Sequence, residues 1–258
     1  FTNINMNKTI FIYWHQGWDE APLLQQHVLK SWIYHNPDWK IELICFENLS
    51  EFLDNIPYIY NSNKQITLQA LSDIIRLSLL DKFGGIWADS TLLCLQPMNN
   101  LIDKNLFKEG FWMYRGNGAN MDIRCGPCSW FLFSNKNNYI INCWKKECDN
   151  YWNSINSCHD YFWMDCLFKN IYNSNNNFKL IWNSVPVISC EEKGSSHCLT
   201  KYGMFNNSTE FKEIIKSNPP FVLKLWKGFN EFVKTNSCKD KLYKNSNACY
   251  AISKSVNE

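Results

Sequence analysis

Apolar residues fall in short, spaced blocks along the chain, and the polar residues between them set the period of each block. Thr9-Ile-Phe-Ile-Tyr-Trp14 is an unbroken β-branched and aromatic run, which predicts a buried strand. It stops at His15-Gln16-Gly17-Trp18, where polar and ring side chains cluster. Pro22 then opens a predicted helix to about Trp32, and Lys40–Phe46 predicts a second strand. A strand, helix, strand series with short links argues for βαβ units and a parallel sheet. Ile66–Phe83 carries helical spacing and ends at Gly84-Gly85, the usual helix stop. Ile86–Leu93 follows as a strand interrupted by Asp89-Ser90-Thr91. Further on, Phe111–Arg115 and Ser129–Ser134 predict strands, and Asn138–Tyr151 and Asp160–Tyr172 predict helices. Ser174–Asn177 and Glu191–His197 have loop composition.

Composition narrows the class. The 258 residues are 45% hydrophobic, with 17 Phe, 12 Tyr and 12 Trp, which excludes a disordered chain. Basic and acidic residues number 26 and 24, a net charge of +2, so the basic footprint of a nucleic-acid binder is missing. No apolar run reaches the roughly 18 residues that a membrane span needs. The expected location is cytoplasmic, or a Golgi-like lumen if an anchor preceded Phe1. No repeat or linker divides the chain, and one α/β domain over residues 1–258 is expected. The 12 cysteines sit largely in apolar runs, such as Cys45 and Cys94, and only Cys125-Gly-Pro-Cys128 has knuckle spacing. Mostly reduced, metal-free thiols are therefore expected.

Two constellations carry candidate chemistry. On the Thr67–Leu80 helix, Gln69, Ser72, Asp73 and Arg76 fall at i, i+3, i+4 and i+7, one polar stripe on an otherwise apolar cylinder. A solvated face, a structural ion pair and a cleft lining all remain open for it. In the last case Arg76 would fork onto phosphate and Asp73 would accept sugar hydroxyls. Secondly, Asp89 interrupts an apolar strand, where a carboxylate is costly unless it is paired or holds a cation. At the carboxyl end of a parallel strand it would face a ligand, and with Ser90 and Thr91 it offers oxygens suited to Mg²⁺ or Mn²⁺. A turn-capping Asp is the alternative. Late in the chain, Lys224-Leu-Trp-Lys227 is either a solvated basic patch or a segment closing on phosphate.

Ile12-Tyr-Trp-His-Gln-Gly17 with Ala21-Pro22, Leu71-Ser-Asp-Ile-Ile-Arg76 and Phe83-Gly-Gly-Ile-Trp-Ala-Asp-Ser-Thr91 together resemble sugar-transferring enzymes of the capsular polysaccharide synthesis type, related to family 32 glycosyltransferases. Weaker matches follow at Ser129–Ser134, Asp160-Tyr-Phe162 and Val185-Pro186. The resemblance implies a glycosyltransferase A-type, Rossmann-like domain with a mostly parallel central sheet flanked by helices. Residues 9–135 would bind the nucleotide sugar and residues 136–258 would serve the acceptor and close the site. It also implies transfer from a UDP- or GDP-sugar to a glycan or other hydroxyl acceptor, with retention at the anomeric carbon.

The resemblance implies the roles of Trp14, His15, Gln16, Asp73, Arg76, Asp89 and Thr91, and the residues themselves suggest the others. Trp14, His15 and Gln16 would meet base and ribose, and Asp73 and Arg76 would meet the donor sugar and phosphates. Ser90 and Lys227 would add donor contacts. Asp89, Thr91 and a late His197 would hold Mn²⁺ or Mg²⁺, although Thr91 stands where the D-x-D motif has its second carboxylate. Asp160 or Asp165 would supply a carboxylate to the reacting carbon, as in other oxocarbenium-like reactions. Two other functions compete: a silent nucleotide-sugar or glycan binder, suggested by Thr91, and a cysteine-framed structural module.

Overall fold

The chain is seen in a computed structural model that describes residues 6–116, 127–191, 194–225 and 245–256. In chain order the first elements are β1 (Thr9–Tyr13), α1 (Leu23–His35), β2 (Lys40–Ile44), α2 (Leu49–Phe52), α3 (Leu68–Phe83), β3 (Gly85–Ala88) and β4 (Leu92–Cys94). Then come α4 (Asn99–Asp103), β5 (Phe111–Arg115), β6 (Pro127–Ser134), α5 (Tyr139–Ser154), α6 (Trp163–Ser174) and α7 (Asn176–Ser184). The described chain ends with α8 (Cys198–Tyr202), α9 (Thr209–Ser217), β7 (Val222–Lys224) and a helix over Asn247–Ser255.

Five strands form the central sheet in the order β2-β1-β3-β6-β5. β1 pairs parallel with both β2 and β3, while β6 runs antiparallel to its neighbours β3 and β5. Four strands therefore point one way and β6 alone is reversed. The predicted β1-α1-β2 unit is present, and the sheet is the mostly parallel, helix-flanked α/β architecture expected. Every residue of β1 and β3 is buried, which explains why both are unbroken apolar runs rather than alternating ones. Trp32, Trp87, Trp112 and Phe131 are among the large side chains enclosed in one continuous core.

Two junctions place the site. Thr67 caps α3, its side chain accepting from Ala70 N at 3.2 Å. At the other end Gly84 and Gly85 both hold positive φ, +68° and +104°. A Cβ on Gly84 would lie 2.5 Å from Lys136 N, and one on Gly85 would lie 2.6 Å from Thr9 O. Only glycine lets α3 turn straight into β3 and lets β3 lie against β1.

The predicted Ile86–Leu93 strand is two strands. β3 ends at Ala88, Asp89-Ser90-Thr91 turns with Leu92 N bonded to Asp89 O at 2.9 Å, and β4 leaves for a separate two-stranded sheet with β7. The Ser174–Asn177 segment is also corrected. It is a helix junction, in which the Asn175 side chain caps α7 by accepting from Phe178 N at 3.0 Å.

Candidate active site

Strand direction decides which residues meet. Parallel β1 and β3 end at the same edge, which delivers Trp14 and Asp89 side by side. Reversed β6 brings its beginning, Ser129 and Trp130, to that edge, and Asp89 N bonds to Trp130 O at 3.0 Å. A cavity of about 1090 Å³ opens there. Carboxyl edges of parallel strands are where α/β folds bind ligands.

The α3 stripe faces this cavity, and Arg76 is its hub. Its guanidinium is only 6% exposed, with Nη2 3.0 Å from Asp73 Oδ1 and 3.2 Å from Asp89 Oδ1. Nη1 donates to Ser129 O at 2.7 Å and to Ser129 Oγ at 2.8 Å, and Nη2 also reaches Ser72 Oγ at 3.3 Å. The fork foreseen for phosphate is engaged within the protein. Arg76 ties α3, β3 and β6 together and fixes two carboxylates.

Asp89 has a second cation. Lys224 Nζ lies 2.7 Å from Asp89 Oδ2 and donates to Thr91 Oγ1 at 3.1 Å, while Trp87 Nε1 donates to Asp89 Oδ1 at 2.9 Å. Lys224 arrives because β7 pairs with β4 in the register Leu92↔Lys224. Burial opposes ionisation of Asp89, but Lys224 and Arg76 outweigh it and hold the carboxyl below its usual range. Burial pushes Asp73 up to about 6 despite Arg76. Asp165 is pushed up to about 7, by burial first and then by the charge of Asp73.

A divalent ion bridging Asp89 and Thr91 does not fit these residues as arranged. Both Asp89 oxygens already accept charged or ring N–H donors, and an ammonium occupies the place between Asp89 and Thr91. His197, the third expected ligand, lies with Cys190 and Glu191, their donor atoms within 4.8 Å of one another; among the described residues this is the one such group. Its ring packs on Trp130 at 5.2 Å.

The other predicted residues are distributed as follows. Trp14, His15, Gln16 and Ser90 line the cavity. The buried Trp14 Nε1 has no hydrogen-bond partner, His15 Nδ1 meets Tyr13 Oη at 2.7 Å, and Gln16 is exposed at the rim. Asp165 on α6 lines the cavity, whereas Asp160 does not. Asp160 is exposed and caps a turn, its Oδ1 accepting from Phe162 N at 2.9 Å. Lys227 lies outside the described residues.

Two functional candidates were missed. Lys224 was singled out only within Lys224–Lys227, as a solvated patch or a segment closing on phosphate; its place beside Asp89 was missed, because its partner strand is more than a hundred residues away and only three residues long. Gln25 on α1 lines the cavity, is fully buried, and both polar atoms of its amide lack partners. Its signal was in the sequence: it shares a face with Val28 and Trp32, a polar residue on an apolar stripe.

The sheet edge and its acidic and basic floor define an α/β protein with a polar, charged cavity where such folds bind ligands. The chain belongs to the family of capsular polysaccharide synthesis proteins, whose sequence model matches residues 1–245. The O-glycosyltransferase braB of Annulohypoxylon truncatum is 29% identical over 98 residues, covering 34% of this chain and 23% of that protein. The glycosyltransferase afumC of Aspergillus fumigatus (strain CBS 144.89 / FGSC A1163 / CEA10) is 24% identical over 159 residues, covering 57% of this chain and 39% of that protein. These matches span well under half the length of either relative. The solved structure of PaToxG Glycosyltransferase aligns with 98% of this chain and 87% of its own, at 13% identity and a TM-score of 0.48.

Proposed function

We propose that this chain is a glycosyltransferase that moves a sugar from a nucleotide-diphosphate sugar to a hydroxyl of a glycan or other acceptor. The observation that carries the reading is the meeting of Asp73, Arg76 and Asp89 on the floor of one cavity, at the carboxyl edge of β1 and β3. These residues come from the segments that resemble sugar transferases, and the family match and the two glycosyltransferase relatives support the transferase part of the reading.

The chemistry suits the charges. As the bond from the anomeric carbon to the phosphate oxygen breaks, its electron pair goes to the nucleotide diphosphate, and positive charge grows on the sugar. Carboxylates on the floor favour that cationic sugar, and fixed cations favour the leaving diphosphate. The acceptor oxygen bonds to the anomeric carbon and gives up its proton; Asp165, titrating at about 7, is placed and tuned to take it. Trp14 at the end of β1 offers a ring for the base and an unpartnered N–H. Transfer with retention and use of a UDP- or GDP-sugar follow the family resemblance.

The competing reading, a silent nucleotide-sugar binder, is favoured by Thr91 in place of a second carboxylate and by the internally engaged Arg76 fork. Slow hydrolysis of a nucleotide-sugar panel separates the two. Release of free UDP or GDP from one member supports the transferase, and tight binding without release supports the silent relative.

A further inference from the structure

We infer that the Lys224 ammonium is the built-in cation of the donor site, standing where a divalent metal would bridge protein and diphosphate. The inference rests on the donor-site reading above and deepens it. Asp89 and Thr91 are the two positions at which the resemblance places the metal ligands, and Lys224 Nζ bonds to both, at 2.7 and 3.1 Å.

The charges match this exchange. A divalent ion between two carboxylates is locally neutral, and so is a monovalent ammonium between one carboxylate and one neutral hydroxyl. Thr91 in place of an Asp is therefore the partner that a lysine requires; a second carboxylate would leave an uncompensated charge in a half-buried site. An ammonium carries three N–H donors. Asp89 and Thr91 engage two, and because Lys224 lines the cavity the third is available to a ligand oxygen. The Trp130 ring lies 5.9 Å from Nζ, within range of a cation–π contact.

Arg76 does not compete for this role. Its two terminal nitrogens are held by Asp73, Asp89 and Ser129, so it positions the carboxylate that in turn positions Lys224. Arg76 Nε has no partner among the described residues but is buried, so of the two cations on the floor Lys224 is the one inferred to reach diphosphate.

The test titrates UDP and GDP into the full chain in EDTA and again in Mn²⁺, and follows Mn²⁺ alone by its electron paramagnetic resonance signal. The inference predicts that one nucleotide diphosphate binds equally in EDTA and in Mn²⁺, and that the protein leaves the free-Mn²⁺ signal unchanged. Lys224→Met should weaken that binding by roughly 10- to 100-fold, the worth of a charge-assisted hydrogen bond, and Lys224→Arg should restore part of it. Binding only in Mn²⁺, or Mn²⁺ uptake abolished by Asp89→Asn, overturns the inference and leaves the donor site standing. No binding of either nucleotide under either condition overturns the donor-site reading and this inference with it. The wild-type arms decide the matter even if a variant fails to fold.

Discussion

Single side chains in this site are held more firmly by the protein than their sequence suggests. Arg76 is a tether, Lys224 bridges Asp89 and Thr91 at the cavity wall, and Gln25 is a buried amide with no partner among the described residues. An unsatisfied buried amide costs about 1–3 kcal/mol, which an apolar side chain of similar size would recover. Gln25→Leu is therefore expected to raise the melting temperature while weakening UDP or GDP binding. Opposite signs in thermal melting and calorimetry are the readout. A fall in both would show that Gln25 serves the fold and not the ligand.

The elements show what was legible in the sequence and what was not. β1, α1, α3 and β5 were legible because their patterns are local: unbroken apolar runs, helical spacing and a Gly-Gly stop. The same local logic exposed Asp73, Arg76 and Asp89 as polar residues inside apolar elements. β4 and β7 were not legible, since three-residue strands carry no period and their pairing is long-range. With that pairing went the position of Lys224. The Asn-rich start of α7 read as a loop because Asn favours turns and caps alike, and here Asn175 caps.

The Gly84-Gly85 junction carries the most weight at this scale. Gly84→Ala would place a methyl group 2.5 Å from a backbone nitrogen at positive φ. We expect a loss of at least about 2 kcal/mol, combining left-handed strain with a clash that cannot rotate away. The denaturation midpoint measures it, and a midpoint within error of wild type would contradict the close approach of α3, β3 and β6.

Across the molecule the site places two carboxylates, Asp73 and Asp89, against two cations, Arg76 and Lys224, and leaves Asp165 and Glu191 as surplus negative charge. Burial pushes Asp165 up to about 7 in the folded chain, from the ordinary carboxylate value of 3.8 when unfolded. Between those values the folded chain keeps a proton that the unfolded chain has lost, so this group's contribution makes stability fall as pH rises from about 4 to about 7. Asp165→Asn removes that fall. The variant should melt above wild type at pH 8 and level with it at pH 4, and an unchanged difference across this range would remove Asp165 from the buried charge cluster. The same substitution should flatten the alkaline rise of turnover if Asp165 takes the acceptor proton.

All of this depends on the cavity being a sugar-donor site built around Asp89. The most direct measurement is the rate of UDP or GDP release from a panel of nucleotide sugars, comparing wild type with Asp89→Asn at matched circular dichroism. On that reading Asp89 orients Lys224 and faces the reacting sugar, so its neutral variant should lose roughly 10²-fold or more, the scale of removing one fixed electrostatic stabiliser of a transition state. Release from one donor by wild type with that loss in Asp89→Asn is the predicted result, and near-normal release by the variant would contradict the account.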